Sequence, residues 1–416
     1  MVKVCDRIMG TGKTQATINY LNDNPDGKYI YITPYLDEAT RIRDGCPALN
    51  FVEPMRLRQY GLSKVNHTQS LILNGRNITT THQAFKSYTP QMLKAIKDYG
   101  YTLIIDENVN VLESCDWHRD DIQMAVDAGY VGVENGRYTL LKDTYHGEAM
   151  REMFWLLKSR QIMSVDTEDE YGRKSEMQRM YFWVLPQELV LSFRDVYILT
   201  YLFEGQSLYF FLKMYDIDYV NIGIERVDHG TGFSFCDGDG YIPEYVGHIE
   251  DMIDIVDSSK MNAVGDDETA LSVSWFGSHS REVSTLKSNI YNFFTNRCKG
   301  VEPERKMWST YKSVKEVIKG KGYTLGYTAL NLKATNQYRS AKYLTYACNL
   351  YMNVSEKIFY QQNGITVDED AYALSIMIQW IWRSAIRDGE KIYIYLPSKR
   401  MRRILSDWMK GLRKED

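Results

Sequence analysis

Lys13 and Thr14 close the run Asp6-Arg7-Ile8-Met9-Gly10-Thr11-Gly12-Lys13-Thr14, in which two glycines precede a Lys-Thr pair. The apolar stretch 2–5 leads into this run, and a helix-compatible segment at 15–21 follows it. Strand, glycine turn and helix in that order make a phosphate cradle. Backbone N–H groups and the helix N-terminus face the phosphate oxygens, Lys13 reaches the β- and γ-oxygens, and Thr14 offers a hydroxyl to Mg²⁺. Gly10, Thr11, Gly12, Lys13 and Thr14 are therefore the candidate phosphate ligands. One position departs from the full pattern, with Arg7 where a glycine is usual.

Hydrolysis of a nucleotide also needs one carboxylate for the metal and one for the attacking water. Tyr101-Thr102-Leu103-Ile104-Ile105-Asp106-Glu107 supplies both at the end of a β-prone apolar run, as a buried parallel strand delivers side chains to the carboxyl edge of a sheet. Asp106 is the expected Mg²⁺ ligand, and Glu107 the residue that orients or deprotonates the water. Acids closing a strand can also be plain turn residues. Their order after a glycine–Lys–Thr loop favours the chemical reading.

The elements that must carry these residues alternate. Strands are expected at 28–33, 77–81, 102–106 and 196–200, with helices at 36–43 and 91–98, the pattern of a helix-covered parallel sheet. Between 108 and 186 the sequence reads as a helical, charged insertion. A second alternating region gives strands at 271–276, 307–311 and 391–396, and helices near 281–294, 340–351 and 369–388. The fold expected is α/β, with parallel sheets in two tandem domains, 1–225 and 226–416, and the stretch from 225 to 268 as the crossing.

At 416 residues the chain suits two domains. Nine prolines and 28 glycines leave no linker tract or repeat, and six scattered cysteines show no zinc spacing, which favours reduced thiols in a cytoplasmic protein. No apolar run has membrane-span length, and the N-terminus reads as a strand rather than a signal peptide. A net charge of -4 argues against a nucleic-acid coat protein and permits only a local basic groove.

A helix beginning at Val367-Asp368-Glu369-Asp370 and running to about 388 would gather Leu374, Met377, Ile378, Ile381 and Ala385 in one sector. Gln379, Arg383 and Arg387 then form a stripe on the opposite side. Such a stripe is often only a solvated face, but two arginines one turn apart can grip phosphate oxygens. The tail 398–414 reads as an amphipathic helix whose outward face carries Lys399, Arg400, Arg402, Arg403, Lys410, Arg413 and Lys414, a candidate nucleic-acid rim.

Taken in order, these motifs resemble a superfamily 2 helicase, and more narrowly the replication helicases encoded by bacteriophages. Gly10 to Thr14 resembles motif I. Thr33-Pro34-Tyr35-Leu36-Asp37-Glu38 resembles motif Ia, and Thr79-Thr80-Thr81-His82-Gln83 motif Ib. Asp106-Glu107-Asn108-Val109 stands in the place of the DEAD or DEAH box, and Leu199-Thr200-Tyr201-Leu202-Phe203 in that of motif III. Ala334-Thr335-Asn336-Gln337-Tyr338-Arg339 is similar in position to motif V, and 379–387 to motif VI. Motif III lacks Ser-Ala-Thr, while motif VI has Trp382 in place of its glycine and three residues between its arginines.

The resemblance implies two RecA-like P-loop domains, the first with its insertion at about 108–186, and a basic C-terminal helix. It implies ATP and Mg²⁺ as cofactors, and single-stranded or forked DNA as partner, RNA remaining open, with other replication proteins and no membrane. Gln379, Arg383 and Arg387 become catalytic candidates, Arg387 first as the arginine finger. Thr33, Thr81, His82, Thr335 and Asn336 become the sugar and phosphate contacts. The activity implied is ATP-dependent unwinding or translocation on single-stranded DNA, in the host cytoplasm if phage-borne. A nucleotide-gated accessory or loader that unwinds nothing would share the same site.

Overall fold

Tyr29–Thr33 and Thr102–Asp106 are buried at every position, as parallel strands covered on both faces must be. The computed structural model describes residues 1–34, 36–134, 136–142, 144–148, 150–159, 161–168, 174–227, 232–331 and 337–412. The chain enters with β1 (Val2–Asp6), β2 (Tyr29–Thr33), β3 (Ile78–Thr81) and β4 (Thr102–Asp106). An insertion then adds β5 (Leu112–Cys115), β6 (Val131–Glu134), β7 (Arg137–Leu140), β8 (Gln161–Glu168) and β9 (Lys174–Val184). After it come β10 (Asp195–Thr200), β11 (Tyr219–Val227) and β12 (Gly232–Asp237). The first sheet has the order β12-β11-β1-β10-β4-β2-β3, parallel throughout except for β12, which runs antiparallel to β11. One face packs the helix Lys13–Asp23 through Ala16, Ile18 and Leu21.

The insertion is not mainly helical, as its charge pattern led us to expect. It is a five-stranded antiparallel sheet, β5-β9-β8-β7-β6, with the helices Arg119–Asp127 and Arg151–Ser159. Tyr181, Phe182, Trp183 and Val184 at the end of β9 are all buried. A continuous apolar run of that kind is pinned by cross-strand neighbours, whatever the charges elsewhere in the insertion.

A second parallel sheet contains β13 (Ile253–Ile255), β14 (Lys306–Ser309), β15 (Tyr327–Thr328), β16 (Tyr343–Tyr346) and β17 (Ile392–Tyr395), in the order β13-β17-β16-β14-β15. Two expectations fail here. Residues 271–276 do not form a strand: Ser272 precedes the helix Val273–Ser278, which buries Trp275. Residues 343–346, expected in a helix, form β16, because pairing with β14 and β17 on both sides outweighs local propensity.

The structure divides into two compact units. The first comprises Met1–Arg7, Gly12–Gly240 and Asn353–Val367, and the second Ile8–Thr11, Tyr241–Met352 and Asp368–Asp416. The first thus extends beyond the expected boundary at 225/226, because β11 and β12 complete its sheet. It also takes in the helix Val354–Gln362, whose Phe359 ring lies 5.2 Å from Phe182 and whose Gln362 Nε2 donates to the Asp166 carbonyl at 2.7 Å.

Candidate nucleotide site

Gly10 and Gly12 both adopt positive φ, 84° and 89°, a backbone that any Cβ would strain. Thr11 turns its hydroxyl inward, donating to the Ile8 carbonyl at 2.9 Å, so it offers a ligand only its backbone. Gly12 is the N-cap of the helix Lys13–Asp23 and brings no capping side chain. The first helical N–H groups and the positive end of the helix dipole therefore stay available to an anion. Thr14 lies in that first turn.

Lys13 Nζ donates to the Arg7 carbonyl, which folds the lysine back over the loop. Loss of solvent pulls its ammonium below the ordinary value, while Cys5, Asp106, Asp6 and Glu107 oppose the fall. The lysine therefore lies in the field of both acids at the end of β4.

Asp106 ends β4 at 9% exposure. Its Oδ2 accepts the Tyr31 hydroxyl hydrogen at 2.9 Å. Burial pushes its carboxyl up to about 7 and the charge of Glu107 adds to the rise, whereas the Tyr31 hydrogen bond and Lys13 hold it down. A carboxyl in that condition is stabilised by a cation. Glu107 has φ of 63°, and its N–H donates to the Leu199 carbonyl on β10 at 3.0 Å. A non-glycine residue in the left-handed region costs on the order of 1–2 kcal/mol, a cost often found at functional positions.

Asp6 ends β1 beside this group. Its Oδ2 accepts the Phe203 N–H at 3.0 Å, while Thr200 donates to Gln206 Oε1 and Gln206 Nε2 to the Tyr201 carbonyl, both at 2.8 Å. The segment 199–203 is thereby fastened to the strand that feeds the phosphate loop. Sequence reasoning missed Tyr31 and Asp6. Only the alternation of Tyr29 and Tyr31 in β2 hinted at a polar tip reaching a neighbouring strand.

Of the residues expected to touch nucleic acid, Thr33 ends β2 beside Thr81, its register partner at the end of β3, and His82 follows Thr81. Thr33 is fully buried, and His82 is 4% exposed with Nε2–H donating to the Asp106 carbonyl at 3.0 Å. Thr81 is half-exposed and caps the helix His82–Phe85, accepting the Ala84 N–H at 3.4 Å. Thr335 and Asn336 lie outside the described residues, as do Arg413 and Lys414.

In the second unit, the stripe of Gln379, Arg383 and Arg387 does not lie on one helix. The helix Glu369–Ile381 carries a half-buried Gln379 and stops, with Trp382 as its C-cap. Ser384 is extended, Ala385 N–H donates to the Ala341 carbonyl at 2.9 Å, and Arg387 sits exposed in a 3-10 turn, Ala385–Asp388. The backbone bond to Ala341 draws the chain out of helical register. The helix Lys399–Leu412 also departs from expectation. Arg400 is 4% exposed, donating to Asn349 Oδ1, the carbonyls of Leu350 and Glu369, and Asp370 Oδ1. Arg402 is tied to the carbonyls of Leu396 and Pro397.

The architecture is thus that of an α/β protein with helix-covered parallel sheets in two units, the first bearing Gly12, Lys13 and the acid pair that ends β4. Residues 247–409 match the family described as the YonV C-terminal Rossmann-like domain. The chain is 34% identical over 429 residues to the SPbeta prophage-derived uncharacterized protein YonV of Bacillus subtilis (strain 168), with 99% of each covered. It belongs to the YonV family. Among solved structures it is similar to an XPD helicase, at 11% identity and a TM-score of 0.46, covering 100% of this chain and 94% of that one. It is also similar to Xpd4 of S. tokodaii, at 12% identity and a TM-score of 0.45, covering 98% and 94%. Overlaps at this level assign no residue a role. No described helix is long and apolar enough to cross a membrane.

Proposed function

We propose that this chain is an ATP-dependent DNA helicase or translocase acting on single-stranded DNA, with ATP and Mg²⁺ handled by the first unit. One observation carries the reading: a glycine-loop lysine and two acids meet at the carboxyl edge of a single parallel sheet, with Lys13 in the field of Asp106 and Glu107. The donor set suits Mg²⁺. Asp106 and Thr14 present hard oxygens, and no group of three or more His, Cys, Asp or Glu among the described residues could hold a metal. Water and phosphate would have to complete its shell, as they commonly do for this ion.

Bound there, ATP supplies the phosphoryl group under attack and Mg²⁺ neutralises the charge that develops. Asp106 and Thr14 would hold the ion, with the Tyr31 hydroxyl bonded to the carboxylate. Lys13 exchanges the Arg7 carbonyl for the β- and γ-oxygens. Glu107 takes the proton of the attacking water. Single-stranded DNA would be held through its phosphates, with affinity falling steeply as salt rises. The prophage origin of the Bacillus relative supports a phage-borne setting, in which other replication proteins would be partners and the host cytoplasm the location.

The interrupted arginine stripe favours one rival, a nucleotide-gated accessory or loader without unwinding activity. ATP hydrolysis with and without single-stranded DNA, followed by strand displacement on a forked duplex, tests the proposal. Stimulated hydrolysis with displacement supports a helicase. Stimulated hydrolysis without displacement supports a translocase or the loader.

A further inference from the structure

The strand order of the first sheet sets a direction for any nucleotide bound at the glycine loop. The acids stand on β4, which lies on one side of β1 across β10, while β11 and β12 lie on the other. A phosphate chain with its γ end toward Asp106 and Glu107 sends its nucleoside the opposite way, toward β11 and β12. The residue waiting there is Phe233 of β12. Its ring atoms Cδ1, Cγ and Cε1 come within 2.5 to 2.7 Å of where a Cβ on Gly12 would stand, so the ring rests against the bare glycine backbone and is only half-buried.

Phe233 is also held in place. Asn19, on the helix that leaves the loop, donates through Nδ2 to the Phe233 carbonyl at 2.8 Å. Arg7, in the position where a glycine is usual, donates through Nη2 to the Gly238 carbonyl and Asp239 Oδ1, both at 2.9 Å, just past the end of β12. Strand and loop are therefore tied on both sides of the ring. An aromatic already immobilised loses little freedom when a base settles on it.

We infer that Phe233 is the platform on which the base of the bound nucleotide stacks; this inference rests on the nucleotide reading of the site. The phenyl ring has no hydrogen-bonding group, and its backbone carbonyl is already engaged by Asn19. The platform grips a base by its face, so purine identity is weakly discriminated.

The test compares binding of Mg·ATP with that of Mg·tripolyphosphate, which has the phosphates and no base. Phe233→Leu keeps apolar volume without an aromatic face, and Phe233→Trp keeps the face. Phe233→Leu should weaken ATP binding about tenfold or more and leave tripolyphosphate unchanged. Phe233→Trp should retain ATP, and GTP should bind within a few-fold of ATP. Equal weakening of both ligands would make the ring a prop for Gly12 and overturn the platform. Unchanged ATP affinity in Phe233→Leu would overturn it too, while loss of binding in Lys13→Ala would leave the phosphate site standing. If the wild-type protein binds neither ligand, the nucleotide site itself is wrong and the platform falls with it.

Discussion

Tyr31 on β2 donates its hydroxyl hydrogen to Oδ2 of Asp106 on β4 at 2.9 Å, across 75 positions of sequence. The parallel register that sets Tyr31 against Ile104 and Ile32 against Ile105 brings the two together. Because this bond favours the charged carboxylate, Tyr31→Phe should push the Asp106 carboxyl further up. The pH of half-maximal ATP hydrolysis should move upward and the Mg²⁺ requirement rise several-fold, while stability changes by only about 1 kcal/mol. A pH–rate profile unchanged from wild type would remove Tyr31 from the site.

Asp106 also makes stability depend on pH. Its folded carboxyl titrates near 7 and that of an unfolded chain near 4, so the folded state holds the proton more tightly over that interval. Stability therefore falls as pH rises from about 4 to about 7, and the full cost is present above that range. Asp106→Asn abolishes the ionisation. Without divalent cations the variant should exceed wild type at pH 8 by on the order of 1–3 kcal/mol, the gap closing towards pH 4. Denaturant melts across this range decide it, and a gap independent of pH would contradict the assignment.

Glu107 combines a proposed proton acceptor with a positive φ of 63°. Glu107→Gln should leave ATP binding intact and lower hydrolysis by about 10² or more. Glu107→Gly should lose hydrolysis equally yet melt no lower than wild type, because glycine accepts that backbone freely. Wild-type turnover in Glu107→Gln would place the base elsewhere.

Arg400 should behave as a structural residue. Its guanidinium satisfies Asn349, Leu350, Glu369 and Asp370 within the second unit. Arg400→Ala would remove the donor to Asn349, Leu350 and Glu369, Asp370 keeping Arg403, and should cost about 1–3 kcal/mol. Arg403, 52% exposed beside the same Asp370, should cost less than about 1 kcal/mol on truncation to alanine. Thermal melting of the two variants checks the contrast, which fails if their losses are alike.

What the sequence made legible was local. The run Gly10 to Thr14 and the strand ending in Asp106 and Glu107 state their geometry within a few residues, because glycine freedom and apolar continuity are properties of the segment itself. Tyr31, Asp6 and Phe233 were hidden, since each acts only through a strand neighbour that register chooses. The insertion was misread because β8 and β9 carry charges in a pattern that also suits a helix. Cross-strand burial of Tyr181 to Val184 decides between them. Likewise the arginine stripe looked continuous until Ala341, more than forty positions upstream, took the Ala385 N–H and ended the helical path.

The most direct test of the central claim is the rate of ATP hydrolysis by the wild-type chain and Lys13→Ala, each with and without single-stranded DNA. Mg²⁺-dependent hydrolysis that single-stranded DNA stimulates is expected of the wild-type chain, with its loss in Lys13→Ala under both conditions while the melting profile is retained. Equal rates for the two proteins, or a wild-type rate indifferent to single-stranded DNA, would contradict it.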